Sequence, residues 1–211
     1  MATWNEWFVS AKEKNFDLKK YLKVDQQNDL ERLYSSGLPC FELLLLNGTE
    51  VNSKKVENFI TKHKMIWTRV VNSKEGKRQS KLGIKSFEEF IEFFNSLPFK
   101  QEDCSIQLYQ MKKNYLGGNI IASENSANIE IAFGTQNIVG KSTQTFFHGK
   151  VNDLGRLEFF EKNTPDEIIR AANKALNYLK KSKGEFLKGY FEFILTLEFE
   201  VFFLDYKTSF E

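Results

Sequence analysis

The sequence predicts an α+β fold built as two lobes, and three observations predict it. Helix and strand signals do not alternate as in βαβ repeats; they run helix, strand, helix, strand, helix, then a series of strands, a helix and a closing hairpin. Two capping boxes, Ser86 to Glu89 and Thr164 to Glu167, mark helix starts, and the second half carries apolar runs of period two. At 211 residues the chain is long enough for one domain or for two small lobes sharing a cleft. The expected segments are an N-terminal helical stretch over 1–30, a first α+β lobe over 31–104, and a β-rich second lobe over 105–211 that ends in a helix and a hairpin.

Residues 3–34 read as helix, with apolar clusters at Trp4, Trp7 and Phe8, then Leu18, Tyr21 and Leu22, then Leu30, Leu33 and Tyr34, before the break at Ser35-Ser36-Gly37. Leu38 to Leu46 opens with Pro39 and closes on Asn47-Gly48, as a short buried strand does. Ser53 is placed to cap a helix over 54–64 whose Val56, Phe59 and Ile60 face inward. Met65 to Val71 reads as a strand, and Asn72 to Lys81 as a polar loop. The helix after Ser86 carries Phe87, Phe90, Ile91 and Phe94 and stops at Leu97-Pro98. Strands are expected at 106–111, 117–121, 128–134 and 143–151. Thr164 as N-cap and Pro165 at the first helical position open the last helix, and Gly184 follows its end. The hairpin is then Gly189 to Tyr206, turning near Glu198-Phe199.

Composition excludes several classes. Hydrophobic residues at 41% and charged residues at 27%, with three Pro and 12 Gly, describe a globular chain. A net charge of +2, from 30 basic and 28 acidic residues, makes no broad field for nucleic acid or an anionic membrane. Cys40 and Cys104 have no metal or redox spacing and are expected as reduced thiols in a cytoplasmic protein. With only His63 and His148, a zinc site or a His-based triad has little to draw on. The N-terminus lacks a signal-peptide pattern, so export is not expected. The longest apolar stretch is broken by Glu192, Glu198 and Glu200, well short of the roughly 20 residues that span a bilayer.

Glu192 and Asp205 each stand inside an apolar run of the closing hairpin. Burying an ionised carboxylate requires a cation, a metal or several donors, so the pair points to a site. The turn would set residues 192 and 205 opposite each other, close enough to share a divalent ion. The alternative is that both acids face solvent on the outer side of an antiparallel sheet. Arg69 stands in an apolar strand, where its guanidinium needs a phosphate, a carboxylate or solvent. The basic run Lys74 to Lys81 reads as a solvated loop that could cover an anionic ligand or touch nucleic acid. Gly140-Lys141-Ser142-Thr143 is not a phosphate loop: five residues separate Gly134 from Gly140 where the motif needs four, and strand-like residues follow.

The order of these parts resembles the ATP-grasp fold, and within it the nucleotide-binding domain of phosphoenolpyruvate synthases and pyruvate phosphate dikinases. Gly37-Leu38-Pro39 leading into a strand is similar to the start of those domains, and Met65 to Val71 to the strand whose Lys or Arg meets phosphate. Ile106 to Met111 resembles the inter-lobe strand that seats adenine, followed by Leu116-Gly117-Gly118-Asn119 and Ile129 to Gly134. Phe191-Glu192-Phe193 and Phe203-Leu204-Asp205-Tyr206-Lys207 resemble the paired strands that hold magnesium. The resemblance covers roughly residues 30–208. Lys207 departs from it, because many members carry Asn there.

What the resemblance implies is a magnesium-dependent, ATP-binding protein with a nucleotide cleft between its lobes, passing a phosphoryl group to an unidentified acceptor such as a carboxylate. Glu192 and Asp205 would hold the metal, Arg69 would act on the phosphates, the Gln107, Leu108, Tyr109 and Gln110 segment would seat adenine, and Arg78 and Lys141 would add phosphate contacts. The acceptor would be a small molecule or a protein, with a partner protein supplying the substrate site as one arrangement. A non-catalytic binding module on the same scaffold is the rival reading. Nucleic-acid binding through residues 74–85 is a third, and would show affinity falling steeply with salt.

Overall fold

A computed structural model describes residues 26–134, 146–152, 154–181 and 184–208. The architecture is α+β, with two antiparallel sheets. Contacts divide the chain into two compact units, residues 41–112 and residues 1–40 with 113–211. The strand that spans the expected boundary at 104/105 lies whole in the first of these. The expected helix over 3–34 is described only from Gln26 to Ser35, here α1.

In the 41–112 unit the order is β1 (Leu43–Asn47), α2 (Lys54–His63), β2 (Ile66–Asn72), β3 (Arg78–Ile84), α3 (Phe87–Asn95) and β4 (Cys104–Gln110). The sheet runs β1-β4-β2-β3. Val56, Phe59 and Ile60 of α2 and Phe90 and Phe94 of α3 pack with Ile66, Val70, Ile106 and Leu108, so both helices cover one face. β3 was expected as loop. It is an edge strand whose residues 78–80 are exposed, so burial imposed no apolar alternation on it. Leu38 to Phe41 also departs from the expected strand, since Cys40 belongs with residues 113–211 and bridges to Phe203 within that unit, and only residues 43–47 form β1.

The second sheet runs β10-β9-β5-β6-β7-β8, made of β5 (Asn114–Ala122), β6 (Ala127–Phe133), β7 (Phe146–Val151), β8 (Leu157–Phe159), β9 (Gly189–Thr196) and β10 (Val201–Lys207). One helix, α4 (Asp166–Leu179), packs on it through Ile168, Ala171, Ala172, Ala175, Leu176 and Leu179. Leu116, Ile120, Ile129, Ile131, Phe191, Phe193 and Phe203 fill the same core. Alternation therefore turns Asn119, Glu130, His148, Tyr190 and Glu192 to the other face. The cap of α4 also corrects the expectation. Pro165 is the N-cap, and the Thr164 hydroxyl donates instead to the Glu161 carbonyl at 2.8 Å.

Candidate functional site

The hairpin sets Asp205 and Glu192 as Cα partners, and the register carries on across the sheet. Glu192 pairs with Asn119, Asn119 with Glu130, and Glu130 with His148. A row of five polar side chains therefore crosses β10, β9, β5, β6 and β7 on the face turned away from α4. A register shift between Phe203 and Asp205 brings Asp205 into that row, because without it the alternation from Phe203 would aim residue 205 at the core.

Hydrogen bonds tie the row into two groups. At one end the Tyr190 hydroxyl donates to Glu192 Oε1 at 2.9 Å and lies 3.2 Å from Asn119 Oδ1. Lys207 Nζ pairs with Asp205 Oδ2 at 2.9 Å. At the other end His148 Nε2 lies 3.1 Å from Glu130 Oε1 and Nδ1 2.9 Å from Glu161 Oε1, while the His148 amide donates to Glu161 Oε2 at 2.9 Å. Two carboxylates on two ring nitrogens suit the doubly protonated imidazolium. The hydrogen bond to Glu130 raises the His148 pKa, burial opposes it, and Glu161 adds to the rise. Burial, and after it the Glu192 charge and hydrogen bond, push the Tyr190 phenol far above its ordinary range.

The other expected residues lie in the 41–112 unit. Arg69 is the Cα partner of Gln107 on one side and Ser80 on the other. Its guanidinium carbon sits 4.9 Å from the Trp67 ring centroid, and its Nε is buried without a hydrogen-bond partner. Trp67 stacks on Tyr109 at 4.5 Å with 19° between the ring planes, and the Tyr109 hydroxyl donates to Gln107 Oε1 at 2.9 Å. Register places Arg78 on this face too, opposite Val71.

Leu108 points into the core, and Gln110 follows the same alternation. The ladders to β1 and β2 take up both edges of β4, so what Gln107 and Tyr109 turn out of the sheet is side chain. Lys141 lies outside the described residues. In the basic stretch Lys74 is paired with Asp103 at 2.7 Å and Lys77 with Glu75 at 2.8 Å, which spends part of its charge internally.

Trp67, Asn119, Glu130, His148, Tyr190 and Glu161 were missed from the sequence. Asn119, Glu130 and His148 each interrupt an apolar alternation, a signal open to reading, but their pairing depends on strands distant in sequence. Among the described residues no group of three or more His, Cys, Asp or Glu could hold a metal ion. No helix there is long and apolar enough to cross a membrane.

No family model and no curated protein matches the sequence. Solved structures do. The D-alanyl-alanine synthetase A from Vibrio cholerae is 11% identical with a TM-score of 0.46, over 91% of this chain and 56% of that one. The Chryseobacterium gregarium RiPP-associated ATP-grasp ligase, in complex with ADP and a leader and core peptide, is 13% identical with a TM-score of 0.47, over 97% and 63%. The biotin carboxylase subunit of pyruvate carboxylase is 12% identical with a TM-score of 0.48, over 89% and 40%. The chain thus spans 40% to 63% of the length of these three. Likeness at this level says nothing of what this chain binds.

Proposed function

We propose that this chain is an ATP-grasp-like nucleotide-binding protein, with the layout of a phosphoenolpyruvate synthase nucleotide domain and a role in phosphoryl transfer to an unidentified, carboxylate-type acceptor. The observation that carries the reading is the polar row headed by Asp205 and Glu192 on the face turned away from α4. A globular chain does not set polar and charged groups across five strands of a sheet without partners for them. Within the 41–112 unit, and taken by itself, Arg69 offers a guanidinium with an unpartnered Nε beside the Trp67 ring, which stacks on Tyr109.

In this reading Arg69 bonds phosphate oxygens with the planar fork of its guanidinium. The aromatic pair and Gln107 offer surface and hydrogen bonds to a base. Arg78 and Lys141 are further candidates for phosphate contacts. Positioning and fixed charge are what phosphoryl transfer asks of a protein.

Magnesium would be held by Glu192 and Asp205, and it needs only one or two carboxylates besides phosphate, whose charge it would offset. The donor set does not fit it as it stands. Asp205 Oδ2 carries the Lys207 ammonium and Glu192 Oε1 takes the Tyr190 hydroxyl. This ion pair favours the second reading, a binding module without catalysis.

Calorimetric titration of ATP, with and without magnesium, into wild type, Arg69→Ala, Glu192→Gln and Asp205→Asn tests the function. Binding by wild type that weakens about tenfold or more in Arg69→Ala is expected. No binding by wild type at millimolar nucleotide sinks the reading, and equal binding by all four proteins discards these residues.

A further inference from the structure

Lys207 reaches the acidic end of the row from the strand that carries Asp205. It is the Cα partner of Tyr190, and its ammonium lies 5.6 Å from the centroid of that ring and 2.9 Å from Asp205 Oδ2. The side chains of Lys207 and Asp205 are only 17% and 24% exposed, so the pair is shielded from the water that weakens surface ion pairs. Burial works against the ammonium's charge. The ion pair with Asp205 offsets that cost.

We propose that Lys207 is the resident cation of the Glu192 and Asp205 pair and keeps divalent ions out of it, so that an anionic ligand on this face is taken in its metal-free form. Two carboxylates of the row already have one internal positive charge and one buried phenolic donor between them. A divalent ion bridging both would have to displace the ammonium from Asp205 and leave it half-buried beside a double charge. Among the described residues no third His, Cys, Asp or Glu completes a group that could hold a metal ion. Phosphate oxygens, by contrast, find in Lys207 a donor with two further hydrogens to give.

Mn2+ binding to the full chain, followed by the paramagnetic resonance signal of the free ion, tests the assignment without any nucleotide. Wild type is expected to leave the free-ion signal unchanged at millimolar Mn2+. Lys207→Met keeps a stem over Tyr190 and removes the charge, so it is expected to bind Mn2+ about tenfold or more tighter, a gain that Glu192→Gln abolishes in the same background. Wild-type binding that Glu192→Gln removes would overturn the proposal. So would a folded Lys207→Met that gains nothing. Should that variant fail to fold, Lys207→Gln makes the same comparison, and the wild-type titration can overturn the proposal by itself. A second arm rests on the nucleotide reading above and titrates ATP in chelator and in magnesium. Equal affinity is expected, and a tenfold gain with magnesium overturns the metal-free form, to be read against a scale of about 1.4 kcal/mol per decade. Absence of ATP binding in both defeats the nucleotide reading alone and leaves the Mn2+ result to decide.

Discussion

Tyr190 donates its phenolic hydrogen to Glu192 Oε1 at 2.9 Å, a bond between residues two apart on one strand and one sheet face. The hydroxyl is also 3.2 Å from Asn119 Oδ1, so it links β9 to β5. Tyr190→Phe removes the donor and leaves a half-buried carboxylate less satisfied. The expected cost is about 1–2 kcal/mol, read as a lower urea midpoint with the slope unchanged. Because burial and Glu192 hold this phenol protonated far beyond the usual tyrosine range, the absorbance step of alkaline titration near pH ~10 should have the same amplitude in both proteins. An amplitude smaller by one tyrosine in the variant would show that Tyr190 ionises normally.

His148 makes stability depend on pH. Its folded pKa is raised, first by the hydrogen bond to Glu130 and, against the opposing effect of burial, by Glu161. A folded pKa above the unfolded value of about 6.5 means the contribution is fully present below that pH and fades as pH rises through the folded pKa. Denaturation of wild type and His148→Gln should therefore differ most on the acid side of the transition and converge on the alkaline side. A gap that widens with rising pH would contradict the imidazolium assignment, and the ring proton shifts in NMR would locate the folded pKa directly.

Legibility followed the reach of each interaction along the chain. The sequence placed Glu192 and Asp205 opposite each other across a short hairpin, and they are Cα partners, but the register set at the turn pairs Phe203 with Phe193 and would bring Leu204 to Glu192; the shift after Phe203 puts Asp205 there instead. Asn119, Glu130 and His148 belong to the same row, yet β5 pairs with β9 across about seventy residues, a choice no local pattern records. β3 and β8 went unread for a different reason. Both are edge strands, and their exposed or half-buried residues show no apolar alternation. Lys207 was visible as a departure and, two residues after Asp205 on one strand, shares its face, but the shift that precedes both is what brings the pair to Glu192.

Gly118 tests how tightly the row's central strand is held. It lies on the core face of β5 next to Asn119, and a Cβ there would come within 2.6 Å of the Glu130 carbonyl oxygen and 2.7 Å of the Phe193 ring. One contact is backbone and the other is a fully buried ring, so neither yields easily. Gly118→Ala is expected to cost about 1–3 kcal/mol, a fall in melting temperature of several degrees. An unchanged melting temperature would mean that β5 can move away from β6 and β9 at little cost.

Two serines stand before helices with the same sequence logic and different structures. Ser86 Oγ accepts a hydrogen bond from the Glu89 amide at 3.2 Å, while Glu89 Oε2 accepts from the Lys85 amide at 2.7 Å. Ser53 has the extended backbone of an N-cap, but its hydroxyl makes no capping bond and is buried without a partner. Ser86→Ala should therefore cost about 1 kcal/mol, as loss of a working cap does. Ser53→Ala should be neutral or stabilising, because it removes a buried polar group that gains nothing where it lies. Equal losses in parallel urea denaturations would show that the Ser53 hydroxyl does cap α2 in solution.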